Sequence, residues 1–163
     1  MVIGNFYEND LRKPKMQEKN FLSITNIHFI HANDYKDTIE ILLQKLESRN
    51  LQIPMEDILK MILEREDLMP TSIGYGIAIP HTSLSIEGKE PIVEIGILEN
   101  AVNWFSFDKI FIKLVILVLY NKNEKSRFYE FIGLLNGVLK DKQKRKILFH
   151  SAEVAEIYDI LRL

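Results

Sequence analysis

The segment Ile110–Tyr120 limits the possible folds of this chain more than any other. It ends in an unbroken apolar run, Leu114 to Tyr120, and its polar residues lie mainly at its start. A strand with one wet face alternates apolar and polar residues, whereas a continuous apolar run reads as a strand covered on both faces. The covering layers have to come from the flanking segments, and helical periodicity is found on both sides. Before the run, Asp34 is placed to cap a helix over Tyr35–Arg49, with Ile39, Leu42, Leu43 and Leu46 on one side and Asn50 as its stop. Pro54 opens a second helix, with Ile58, Leu59, Ile62 and Leu63 as its stripe. After the run, Lys125–Lys140 carries Phe128, Phe131, Ile132, Leu135 and Leu139 at helical spacing. Two shorter helices follow, Lys142–Phe149 and Ala152–Leu161, the last with Ser151 as its expected cap. Leu22–Ala32 and Pro91–Leu98 read as strands, Val102–Phe107 as a bent or edge segment, and Thr71–Pro80 as a loop leading into a short strand. Helices on both sides of a doubly covered strand make the expected fold class α/β, a three-layer α/β/α sandwich with a central mixed β-sheet flanked by helices. The sheet is expected to be mixed because no long helix separates the strands between Pro91 and Tyr120.

Composition removes several functions. The chain has 163 residues and a formal net charge of -2, with both signs spread along it. A nucleic-acid binder would need a clustered basic face. With no cysteine, disulfides, zinc-thiolate sites and thiol nucleophiles are excluded. Residues 1–20 hold no apolar signal-like stretch and read as a flexible tail or linker, with one domain over 21–163. The apolar run is far too short to cross a bilayer, and the expected location is cytoplasmic.

Of the four histidines, His28 and His31 lie three apart on an expected strand. They therefore point to opposite faces, one packed and one solvated, and do not make a metal site. His150 follows a helix end, where a cation favours the dipole. His81 has a different setting, Gly74-Tyr75-Gly76-Ile77-Ala78-Ile79-Pro80-His81. Pro80 fixes the backbone before it, the glycines permit unusual dihedrals, and Thr82 and Ser83 follow as donors to an anion. On these features alone, Pro80-His81 is as readily a turn as a functional site.

A longer pattern separates the two. Leu63-Glu64-Arg65-Glu66, then Pro70-Thr71-Ser72-Ile73-Gly74-Tyr75-Gly76-Ile77-Ala78-Ile79-Pro80-His81, resembles the phosphorylation-site region of enzyme IIA domains of the bacterial phosphotransferase system. The group is the fructose/mannitol type, with its nitrogen-regulatory and galactitol-like members. Trp104, Asp108, the apolar strand and the Asn123-Glu124 turn also fall where that family has similar features, so the resemblance spans about Phe21 to Leu161. It implies a histidine phosphocarrier, a phosphotransferase that needs no cofactor or metal. His81 would be the phosphoryl acceptor and Arg65 the cation beside the transferred group, with Thr82 or Ser83 as phosphate contacts. A surface partner four residues away on a Glu-rich helix is the other reading of Arg65, and a turn residue that of Ser83. The implied partners are the phosphocarrier protein HPr and a sugar-specific IIB domain. Nucleic acid is not touched directly, and the membrane is reached only through the IIC complex.

The sequence departs from the family pattern at two places. Many members carry a second histidine at the start of the helix after the apolar strand; here that position is Phe128, beside Arg127, which is the candidate to supply charge instead. Ser72 stands where the family usually has glycine, a change expected to matter if the loop needs positive φ there. These departures leave a regulatory domain, possibly of a sugar-operon transcription regulator, and a non-phosphorylated interaction module as alternatives to sugar transport. Ile77, Ile79, Leu84 and Phe105–Phe107 are the expected partner-docking residues.

Overall fold

A computed structural model describes residues 21–163; the expected tail over residues 1–20 lies outside the described residues. Among these, six strands form one mixed sheet: β1 (Ile27–Ile30), β2 (Ser72–Gly74), β3 (Ile77–Ala78), β4 (His81–Leu84), β5 (Ile92–Val102) and β6 (Ile112–Asn121). The helices are α1 (Tyr35–Gln44), α2 (Met55–Leu68), α3 (Lys125–Leu139), α4 (Lys142–His150) and α5 (Val154–Leu161). The strand order is β1-β5-β6-β3-β2, with β4 also on β6. β5 runs antiparallel to β6, β3 and β4 run parallel to β6, and β1 runs parallel to β5.

The sheet has a buried cluster on each face. Ile77, Ile79, Ile95, Leu114, Ile116 and Val118 pack with Phe128, Phe131 and Leu135 of α3 and with Leu148 and Ile157 of α4 and α5. On the other face Ala78, Leu84, Leu98, Val115, Leu117 and Leu119 pack with Ile39 and Leu42 of α1 and Ile58 and Ile62 of α2. The three-layer sandwich is the observed architecture, and β6 is its doubly covered strand. Alternation along β6 sends successive side chains to opposite layers, so both need apolar partners.

Several boundaries differ from the sequence reading. Leu22–Ala32 is a strand only over β1, because a Ser23-capped 3₁₀ turn, Ile24–Asn26, precedes it. α1 stops at Gln44; a 3₁₀ turn, Glu47–Arg49, carries the chain to Asn50, whose φ of 46° ends the segment. Val102 belongs to β5, which reaches it across a register shift after Ile97. Ser151 does not cap α5: it ends α4, and its Oγ accepts from the Glu153 N–H, while Glu153 stands at the start of α5 without a side-chain cap. His28 is half-buried with Nε2 2.7 Å from Glu94, and His31 is exposed, as the spacing implied.

Burial on both faces of β6 sets an expected cost. Leu117 is fully buried beneath the α1–α2 layer, and Leu117→Ala is expected to lower unfolding stability by about 2–5 kcal/mol, read from the shift of the urea midpoint.

Candidate functional site

β3 and β4 form one line along the edge of β6. Ile77 pairs with Leu114, Ala78 with Val115 and His81 with Val118, in a single register. The carbonyls of Gly76, Pro80 and Leu84 accept from Leu114, Val118 and Lys122. Pro80 has no N–H to give β6, and this one missing bond divides the line in two. Even-numbered residues thus turn their peptide groups toward β6, and Ile79, His81 and Ser83 turn theirs away from it. β4 pairs with β6 alone, so the peptide groups of His81 and Ser83 lie along its unpaired edge.

Alternation also fixes the faces. His81 lies on the α3 side with Ile77 and Ile79, and Thr82 lies on the α1–α2 side with Ala78 and Leu84. Ser83 is a strand residue, not the turn residue considered from sequence, and it shares the face of His81. The half-buried imidazole has Nδ1 2.7 Å from the carbonyl oxygen of Ile79. A carbonyl only accepts, so the neutral ring carries its proton on Nδ1 and keeps its lone pair on Nε2.

Phe128, at the start of α3, lies with its ring centroid 5.2 Å from that of His81, and it stacks on Tyr120 at 4.2 Å. It therefore walls the imidazole with an apolar face and offers neither charge nor proton. Arg127 does not supply the missing charge at the ring either. Its guanidinium donates to Glu90 and Glu130 and lies 5.1 Å over the ring of Phe21. The hydrogen bond to Glu90 is the main reason its pKa is raised. Arg65, in the last turn of α2 on the other face of the sheet, donates from Nη1 to the carbonyl of Met69 at 2.7 Å. No hydrogen bond joins Arg65 to His81 among the described residues.

The turn before β3 is where backbone conformation is unusual. Gly74, Tyr75 and Gly76 have φ of 88°, 57° and 77°. Asp108 straps this turn to the β5–β6 connection by accepting from the N–H groups of Tyr75 (3.2 Å) and Ile110 (3.1 Å). Ser72 lies in β2, outside the positive-φ run, so its replacement of glycine does not strain the loop. Sequence reading also missed Glu66. Its buried carboxylate accepts from the Thr71 N–H (2.9 Å), the Thr71 hydroxyl and the Trp104 indole N–H (3.0 Å). The spacing Ile58, Ile62, Glu66 puts it on the inner face of α2, a signal that was available in the sequence.

The expected docking residues are only partly exposed. Leu84 is buried under α1 and α2. Ile77 and Ile79 are buried as well, beneath an apolar pocket of about 250 Å³ that Ile73, Tyr75 and Ile132 also line. Phe105 and Phe107 are exposed, while Ser106 between them is buried. Among the described residues no group of three or more metal-binding side chains converges, and no helix is long and apolar enough to cross a membrane.

Over residues 20–163 the chain matches the family described as phosphoenolpyruvate-dependent sugar phosphotransferase system, EIIA 2. It is 26% identical over 132 residues to the nitrogen regulatory protein of Escherichia coli (strain K12), covering 81% of this chain and 80% of that protein. It superposes on nitrogen regulatory protein IIA-Ntr from Neisseria meningitidis with a TM-score of 0.79 at 22% identity, covering 86% of this chain and 96% of that one. Against a chain of the Escherichia coli complex of enzyme IIAMTL with phosphorylated enzyme IIBMTL the TM-score is 0.67 at 21% identity, with 86% and 96% covered. At these identities the two structures speak to the fold alone.

Two glycines should respond oppositely to alanine. At Gly76 a Cβ would stand 3.2 Å from the Phe111 carbonyl on a left-handed backbone, so Gly76→Ala is expected to destabilise by roughly 1–3 kcal/mol. At exposed Gly133 in α3 a Cβ meets open space, so Gly133→Ala is expected to stabilise by about 0.5–1 kcal/mol. Urea unfolding of both variants checks the pair.

Proposed function

This chain belongs to the EIIA 2 family of the phosphoenolpyruvate-dependent sugar phosphotransferase system, a family of phosphoryl-transfer proteins, and we propose that Nε2 of His81 is its phosphoryl acceptor. The observation that carries this reading is the bond from Nδ1 to the Ile79 carbonyl, which leaves the Nε2 lone pair available. In the proposed step that lone pair attacks the phosphorus of a phosphohistidine on an HPr-type carrier. The new Nε2–P bond forms as the donor's N–P bond breaks, and the donor nitrogen keeps the electron pair. The Nδ1 proton stays against the Ile79 oxygen, whose partial negative charge stabilises the positive charge developing on the ring. Positioning carries most of such a reaction, because both groups are imidazoles and neither needs a metal.

Around the acceptor, the outward N–H groups of His81 and Ser83 and the Ser83 hydroxyl are the proposed donors for phosphoryl oxygens on the edge of β4. Thr82 contributes through its side chain less readily, because it faces the other layer. Arg65 would leave the Met69 carbonyl and reach around the same edge to the phosphoryl group. The exposed Phe105 and Phe107 and the Ile77–Ile79 pocket are the apolar surfaces proposed to receive a partner.

In the transport reading the phosphoryl group then passes to a sugar-specific IIB domain, and the IIC complex is the only link to the membrane. A regulatory reading, in which the phosphorylation state of His81 itself is the signal, is favoured by the sequence similarity to the nitrogen regulatory protein of Escherichia coli. In both readings the site acts in the cytoplasm.

Incubation with phosphoenolpyruvate, enzyme I and HPr should add one phosphate to the wild-type chain and none to His81→Ala, by intact mass. An unmodified wild type, or labelling that survives the substitution, would rule out His81 as acceptor. Arg65→Ala is expected to slow single-turnover transfer by roughly 10²–10³-fold; a rate within a few-fold of wild type returns Arg65 to its helix-end role. Chase of the phosphorylated protein with IIB domains separates the two readings: rapid loss of phosphate supports transport, and retention supports regulation.

A further inference from the structure

Glu66 is an expensive residue in its position. It is a carboxylate with 4% exposure in the last turn of α2, where the helix end already carries partial negative charge. Among the described residues no cation pairs with it. Three neutral donors satisfy it: the N–H and hydroxyl of Thr71, and the indole N–H of Trp104, which arrives from the end of β5. An apolar side chain would fill this place at lower electrostatic cost, so its contacts have to account for it.

Those contacts lead to the acceptor histidine. Thr71 is buried, and its carbonyl accepts the N–H of Ile79 at 3.1 Å. Ile79 turns both of its peptide groups away from β6, so Thr71 is the backbone partner on that side. The Ile79 carbonyl, on the same side, accepts from Nδ1 of His81 at 2.7 Å. Pro80, the next residue, gives β6 no N–H, which removes one restraint on the peptide that carries this carbonyl. Its direction therefore depends on Thr71, and the place of Thr71 depends on Glu66.

We infer that Glu66 is a positioning residue for His81: acting through Thr71 and Ile79, it aims the carbonyl that holds the imidazole in its Nδ1–H tautomer with Nε2 outward. The effect on rate rests on the reading of His81 as phosphoryl acceptor; the effect on tautomer does not. Glu66→Leu keeps most of the bulk but removes both acceptor oxygens, so the N–H groups of Thr71 and Trp104 lose their partner; in Glu66→Gln the Thr71 hydroxyl can turn to accept from the new NH₂, and all three contacts survive.

The test uses the full chain with ¹⁵N-labelled histidine, at a pH where the ring is neutral. Wild type should show His81 with a protonated Nδ1 and an unprotonated Nε2. In Glu66→Leu the two nitrogen signals should move toward each other as the tautomers mix, and phosphorylation of His81 should slow about 10- to 100-fold, the order expected when a reacting group is misaimed. Ring signals unchanged from wild type, with a rate within twofold, overturn the inference, even if thermal stability has fallen. Should Glu66→Leu not fold, Thr71→Val and Trp104→Phe each remove one side-chain donor to the carboxylate and take the same measurements. Unchanged ring signals in both then overturn it. A wild type that accepts no phosphate defeats the phosphoryl reading instead, and the tautomer spectra still decide the role of Glu66.

Discussion

The parallel pairing of Gly76–Leu84 along β6 is the constraint on which the rest of the structure depends. β6 is buried on both faces and pairs with β5 on one edge, so its other edge is the remaining place for the histidine segment. A slip of one residue would exchange the two faces of that segment. Ile77 and Ile79 would then lose the α3 cluster, and Ala78 and Leu84 the α1–α2 cluster. The same register puts His81 against Phe128 and sends Thr82 to the opposite layer. The position of the imidazole is thus a product of core packing, and the loop before it supplies only the turn.

Neither arginine considered as a source of charge for that imidazole is free to supply it in this structure. Arg127 is held by Glu90 and Glu130, and Arg65 donates to the Met69 carbonyl. Phe128 borders the ring at a tilt, with Tyr120 stacked on Phe128, and among the described residues the ring's hydrogen-bond partner is the Ile79 carbonyl. This arrangement sets proton placement by backbone direction and leaves charge stabilisation to groups that must move or arrive with a partner. Under the proposed function, a partner protein would complete the site.

Much of the architecture was legible because its periodic signals are long. The unbroken run of β6 and the stripes of α1, α2 and α3 each span enough residues for packing to leave a pattern. β2, β3 and β4 carry no such pattern. Ile77–Ala78 is too short to show a period, and His81-Thr82-Ser83-Leu84 has no strand signature; β4 exists because β6 offers it an edge. The Ser151 cap failed for a related reason, since a hydroxyl before a helix can as readily end the preceding one. Of the docking residues, Ile77, Ile79 and Leu84 are buried, because each faces a helical layer once its strand has paired with β6.

The sequence by itself determined a doubly covered central strand with helices on both sides, and marked His81 through a long motif around Gly74–Pro80. Periodicity suffices for the first, because it acts between near neighbours in the chain; the second came from the resemblance of the whole segment to a family motif, since local chemistry left Pro80-His81 as readily a turn. Only the tertiary structure decided which ring nitrogen keeps its lone pair, that Phe128 and not a charge borders the ring, that Arg127 is paired elsewhere, and that Glu66 reaches His81 through Thr71 and Ile79. Each of these rests on contacts between distant segments, and such contacts exist only once the register of β3 and β4 on β6 has brought them together.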